Sequence, residues 1–199
     1  SNEVFIDSAT LRENVVALAR NIGYLPRSRK ASRTTVNFFV DISSVSPTPA
    51  NLTLKAGPVA STGGSFNNQS FVFGIPEDIT VSVVDGIASF NNVEIFEGSY
   101  LTQTYIYSSR NPFQKFILPN IGIDLDSLVV SVRPSAQSSV TTKYSRQDEL
   151  FDSVTKSTIN KNSNIYFIQE VEGEQYEVIF GDGVFGKALE DGNVVDMSY

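Results

Sequence analysis

Asp124 and Asp126 stand two residues apart and are the sequence's candidate acid and base pair. On a strand that spacing puts both carboxylates on one face, as glycoside hydrolysis or metal binding would use them. Their setting argues otherwise, because Gly122 precedes them, Leu125 separates them and no sugar-stacking aromatic context surrounds them. Turn capping is the stronger reading. Asp182-Gly183 is the other candidate, since Asp-rich glycine turns can hold calcium. An EF-hand-type loop needs about five oxygen ligands at set spacing and a late Glu. Here Val184, Phe185 and Lys187 occupy positions that would need oxygens, and Glu190 and Asp191 approach only by folding back. Gly181, Asp182, Gly183 and Gly186 therefore read as a structural turn, the tip of a hairpin anchored by Phe185 and Leu189. Ser61-Thr62-Gly63-Gly64-Ser65 has the composition of an anion-cradling loop but lacks the terminal Lys and the following helix.

The chain contains neither cysteine nor histidine. Disulfides, the common zinc sites, and the Ser-His and Cys-His nucleophiles are thereby excluded within it. With no Ser-x-x-Lys beside a partner base either, no enzyme activity, metal or cofactor is expected. The 22 acidic residues outnumber the 15 basic ones for a net charge of −7, and the acids crowd the end, from Glu170 to Asp196. Such a surface is a poor partner for phosphate backbone. No run of 18 apolar residues exists and no charged start precedes an apolar signal core, so neither nucleic acid nor membrane is an expected partner. The basic turn Pro26 to Arg33, PRSRKASR, has no interleaved aromatic residue. Arg27, Arg29, Lys30 and Arg33 are candidates for protein contacts, docking on the acidic surface of a copy or neighbour, against the plain alternative of solubility.

The elements that would position these residues follow from periodicity. Leu11, Val15, Leu18, Ala19 and Ile22 recur at spacings of three and four after a cap at Asp7 or Ser8, and Gly23 and Pro26 stop the helix. Leu11, Val15 and Leu18 form its packing stripe. From Thr34 to Asp41 the alternation is strand-like, and further short strands are expected at Leu52 to Ala56, Phe71 to Phe73, Ile79 to Val83, Val93 to Ile95 and Tyr100 to Tyr107. Pro58 argues against a central strand there. Leu125 to Val132 reads as a strand, and the Ser/Thr-rich stretch Ala136 to Tyr144 as a loop or exposed edge. Asp148, Leu150, Phe151 and Val154 suit a turn of helix or an irregular segment. Ile165 to Gln169 and Tyr176 to Phe180 form two strands joined by Glu172-Gly173-Glu174. The expected fold is mainly β: an N-terminal helix and basic connector (1–33), a β-sandwich-like domain (34–120), and a second β-rich, α+β domain (121–199) ending in the FGDG hairpin.

The opening FIDSATLRENVVALARNIGYLPRSRKAS, residues 5 to 32, resembles the helix and basic turn that introduce a module in baseplate proteins of contractile-tailed bacteriophages. The closing YEVIFGDGVFGKALEDGNVV, residues 176 to 195, resembles the signature of the baseplate J-like family, whose members close to this chain are large baseplate wedge subunits. The intervening β segments match loosely, at Leu52 to Gly57 and Val93 to Gly98. The resemblance implies a virion structural protein, made in the host cytoplasm and placed in the tail baseplate. It would assemble with other wedge proteins and copies of itself, as a homodimer and ring that rearrange on sheath contraction, without enzyme activity or cofactor. The chain opens at Ser1 rather than Met, and Ser1-Asn2 looks like a remnant of tag removal, so an internal fragment is expected. The alternative is a carbohydrate-binding β module of a tail protein recognising the host surface, with Tyr100, Tyr105 and Tyr107 as stacking rings.

Overall fold

The computed structural model describes residues 28–63, 70–147 and 159–199. The expected helix with Leu11, Val15 and Leu18, the residue Arg27, and the helical turn around Asp148 to Val154 lie outside the described residues. Among the described residues the regular structure is mainly β, thirteen strands with two single 3-10 turns, Leu125–Ser127 and Glu172–Glu174. Contacts divide them into two units. One comprises the described parts of Lys30–Thr102, with Asp124–Val129 and Ser198–Tyr199; the other comprises residues 28 and 29, Gln103–Ile123 and the described parts of Val130–Met197.

The first unit holds β1 (Arg33–Asp41), β2 (Asn51–Leu54), β3 (Gly57–Ser61), β4 (Val72–Ile75), β5 (Ile79–Val84) and β6 (Ile87–Glu97). They form one six-stranded sheet in the order β2-β5-β6-β4-β3, with β1 paired to β6. The eleven-residue β6 is its spine, and it buries Ala88, Phe90, Val93 and Ile95 with Ile75 of β4. Val36, Phe38 and Val40 alternate inward from β1 onto that core, and the Phe38 and Phe90 rings stack at 4.9 Å. Asp85-Gly86 turns β5 into β6 with φ of 50° and 77°, both left-handed, as a two-residue hairpin demands. Pro58 sits on the edge strand β3, where its missing N–H costs no ladder bond.

The second sheet contains β7 (Thr102–Ile106), β8 (Phe116–Leu118), β9 (Val129–Arg133), β10 (Thr142–Arg146), β11 (Ile165–Val171), β12 (Gln175–Phe180) and β13 (Val194–Ser198). Their order is β7-β13-β9-β10-β11-β12-β8. The terminal strands approach through side chains: the Tyr105 hydroxyl donates to the Ile117 carbonyl at 2.8 Å, and its ring meets Phe116 edge-on at 5.6 Å. Phe116, Phe180 and Tyr144 continue this edge-to-face row at 5.2 and 5.4 Å. Leu118, Val130, Val178, Val195 and Met197 fill the interior beside it. The β11–β12 hairpin forms as the alternation indicates, with Gly173 and Glu174 at positive φ in the turn.

Three expectations need correction. Leu125 to Val132 is not one strand, because Asp124 caps a 3-10 turn by accepting the Asp126 N–H at 2.9 Å, and β9 starts only at Val129. Thr142 to Tyr144 is strand and not loop, since β10 pairs antiparallel with β9 along these three residues and becomes interior to the sheet where Ser145 and Arg146 pair parallel with β11. The Gly181 to Asn193 stretch does not close a hairpin. It joins β12 and β13, which are not neighbours, so it is a crossover loop.

Candidate functional site

The basic turn leads into β1, and the structure gives each of its described cations a setting within the chain. Arg29 lies over Gly122, where an added Cβ would come 3.3 Å from its Cδ. Lys30 pairs with Asp126 at 2.9 Å and Arg33 with Glu94 at 3.6 Å, both in solvent. Exposed pairs of this kind hold geometry loosely and contribute less than about 1 kcal/mol each. They leave the side chains open to exchange one carboxylate for another. Asp124 is fully engaged by backbone, one oxygen on the Asp126 N–H and the other on the Ala31 N–H at 2.9 Å. The Asp124–Asp126 pair is therefore occupied in a cap and a surface ion pair.

The crossover loop is built from its glycines and one carboxylate. Asp182 Oδ1 accepts the N–H groups of Val184 and Phe185, each at 2.8 Å, and these bonds, Phe185 first, hold its carboxyl below the usual range. Gly183 N–H donates to the Gly186 carbonyl at 3.0 Å, and the Gly186 N–H to the Asn160 carbonyl at 3.1 Å. Gly181 lies so close to Gly186 that a Cβ on it would fall 2.3 Å from the Gly186 carbonyl carbon. Gly186 is buried against Ile165 at φ of 85°. The backbone contact of these glycines fixes the loop, whereas Phe185, expected as an anchor, is 50% exposed, and Val184 is exposed beside it.

Three anchors were not singled out in the sequence. Asn160 and Ser163 receive the loop's Gly186 and Lys187 N–H groups, and Ser109 donates its N–H and hydroxyl to Asp191 Oδ1 at 2.7 and 3.0 Å. Those two bonds, the N–H first, depress the Asp191 carboxyl as well, with Arg110 adding to them. The Asn160-Lys161-Asn162-Ser163 cluster of turn residues was the available signal.

A cleft of about 310 Å³ opens beside the loop, lined by Tyr107, Gln114, Phe116, Glu177, Phe180 and Leu189. Two of its polar groups are already used: Gln114 accepts from the Ser108 N–H and donates to the Ile106 carbonyl, and Glu177 accepts from Gln169 at 2.7 Å. A second cleft of about 470 Å³ in the first unit presents Glu77, Asp78, Asn92, Glu94 and Asp126. Asp78 is held by Lys55 and the Ala56 N–H. Among the described residues no group of three His, Cys, Asp or Glu side chains could hold a metal ion.

The three tyrosines do not share one surface role. Tyr105 is engaged at ring and hydroxyl, and Tyr107 leans on Phe116 at 6.4 Å. The Tyr100 hydroxyl is buried and makes no hydrogen bond of full geometry, although the Ser127 side chain is close enough to act on it. Burial, with a smaller push from Asp124 and Glu94 and an opposing pull from Ser127, raises its pKa to about 12.

No family model matches the chain, and no curated protein matches it either.

Proposed function

We propose that the chain is an assembly module of a contractile phage tail baseplate, a piece of a baseplate J-like wedge subunit. It works through surfaces that fit other wedge proteins and further copies of itself in a ring that rearranges on sheath contraction. The observation that carries this reading is the closing segment, residues 176 to 195. Its resemblance to the family signature is supported by what its residues do, because Gly181, Asp182, Gly183 and Gly186 are all spent on holding a loop shape. A rigid loop with Val184 and Phe185 outward suits a protein contact and offers no reacting group. The engaged carboxylates Asp124, Asp182 and Asp191 favour the same conclusion. The helix at the start, a sandwich-like first unit and an α+β second unit belong to this reading too. Tyr105, locked to Ile117 and Phe116, weakens the carbohydrate-module alternative.

Reconstitution of the full-length parent with its wedge partners, followed by electron microscopy, tests the proposal. Incorporation into wedges is expected, and a parent that never enters a tail particle would refute it.

A further inference from the structure

Every other free edge in the first sheet carries a device against pairing. β2 is only four residues long, and β3 has Pro58 and a register shift beside it. β1 has none. It is nine residues long, lacks Pro and Gly, and among the described residues pairs only with β6. The irregularity between the two strands sits in β6, where Asn91 and Asn92 oppose Asn37 alone, so β1 itself stays regular.

Its free groups can be assigned. Ile42 N–H donates to Gly86 and the Ser32 carbonyl accepts from Glu97, so the even-numbered residues between them face β6. Arg33, Thr35, Asn37, Phe39 and Asp41 then turn their N–H and C=O groups to the open side. Their side chains are all exposed, Phe39 at 68%, whereas Val36, Phe38 and Val40 between them are half-buried. The strand is also self-complementary in charge, with its only cation, Arg33, at one end and its only anion, Asp41, at the other.

We propose that β1 pairs antiparallel with β1 of a second copy of this chain, about a two-fold axis at Asn37. That register sets Arg33 opposite Asp41 of the second copy at both ends, and Thr35 opposite Phe39. All five outward residues fall in hydrogen-bonded positions, exchanging about ten bonds. On the inner face Val36 meets Phe38 of the second copy, extending the half-covered apolar row that already packs on the core. The contact is isologous and closes with two copies. Any shift of register breaks the charge match, and a shift by one residue also turns the side chains to the wrong faces.

The inference rests on the assembly reading only for its purpose, and the two fail separately. A chain that stays monomeric overturns this contact and leaves entry into the particle untouched. A dimer that never enters a particle does the reverse.

Sedimentation of the whole chain from low micromolar to a few hundred micromolar should show a monomer–dimer equilibrium. Thr35→Pro deletes an outward N–H without touching the β6 ladder, and should weaken association by about tenfold or more. The chain has no cysteine, so single replacements report the register directly. Oxidised Asn37→Cys should give a disulfide dimer, because the paired Cα atoms would lie about 5.5 Å apart. Thr35→Cys alone should not, but should cross-link when mixed with Phe39→Cys. A monomer at every concentration overturns the proposal. So does cross-linking of Thr35→Cys to itself as readily as Asn37→Cys, and should Thr35→Pro fail to fold, the cysteine pattern decides.

Discussion

Gly181→Ala isolates the steric basis of the crossover loop. An added Cβ would lie 2.3 Å from the Gly186 carbonyl carbon, 2.5 Å from its oxygen and 2.6 Å from its Cα. All three atoms are backbone, so no side-chain rotation relieves the clash. Moving Gly186 outward to ordinary contact strains two bonds, Gly183 N–H to the Gly186 carbonyl at 3.0 Å and Gly186 N–H to the Asn160 carbonyl at 3.1 Å. Overpacking at its upper range costs about 3 kcal/mol, and partial loss of those bonds adds about 1 kcal/mol, for a total of about 4 kcal/mol. Gly192→Ala is the matched control. Its φ is +84° but no atom lies within 4 Å of the new Cβ, so it bears only left-handed strain, about 1 to 2 kcal/mol. Urea unfolding followed by circular dichroism, with hydrogen exchange on β11 and β12 to localise the loss, measures both. If Gly181→Ala costs no more than Gly192→Ala, the close glycine contact is not what shapes this loop.

Phe90, 1% exposed and stacked on Phe38, should lose about 3 to 5 kcal/mol on replacement by alanine, read as a lower urea midpoint for the first unit. Tyr100→Phe removes a buried hydroxyl that makes no bond of full geometry and should be neutral or stabilising by up to about 1 kcal/mol in the same titration, whereas a clear loss would show that its approach to Ser127 is a formed bond. The Asp182 carboxyl has its folded pKa below the ordinary 3.8, so its stabilisation is complete above that value and disappears as pH falls through the lower folded value. Asp182→Asn should keep an acceptor for Val184 and Phe185 while flattening that part of the acid limb; carboxyl NMR that finds Asp182 titrating at or above 3.8 would contradict the bonding.

The pattern of apolar alternation and turn residues already specifies a β protein. Side-chain direction along a strand has period two regardless of partner, so Val36, Phe38 and Val40 declare an inward face before any neighbour is known. Asp85-Gly86 and Glu172-Gly173-Glu174 are equally local, because a left-handed φ is a property of the residue that adopts it. Pro58 likewise marks an edge by lacking a donor. Which strand pairs with which is not local, and there the tertiary structure decided. Thr142 to Tyr144 look solvent-bound by composition, yet they form a ladder with β9, and the same strand goes on to pair with β11 at Ser145 and Arg146. Gly181 to Gly186 announce a bend, but whether a bend closes a hairpin or carries the chain across a sheet depends on strands distant in sequence. Lys30 and Arg33 are visible as charges, while their carboxylate partners, Asp126 and Glu94, come from segments that only folding brings near. Composition and periodicity act over a few residues, whereas ladders and ion pairs form only after the intervening chain has been closed into loops.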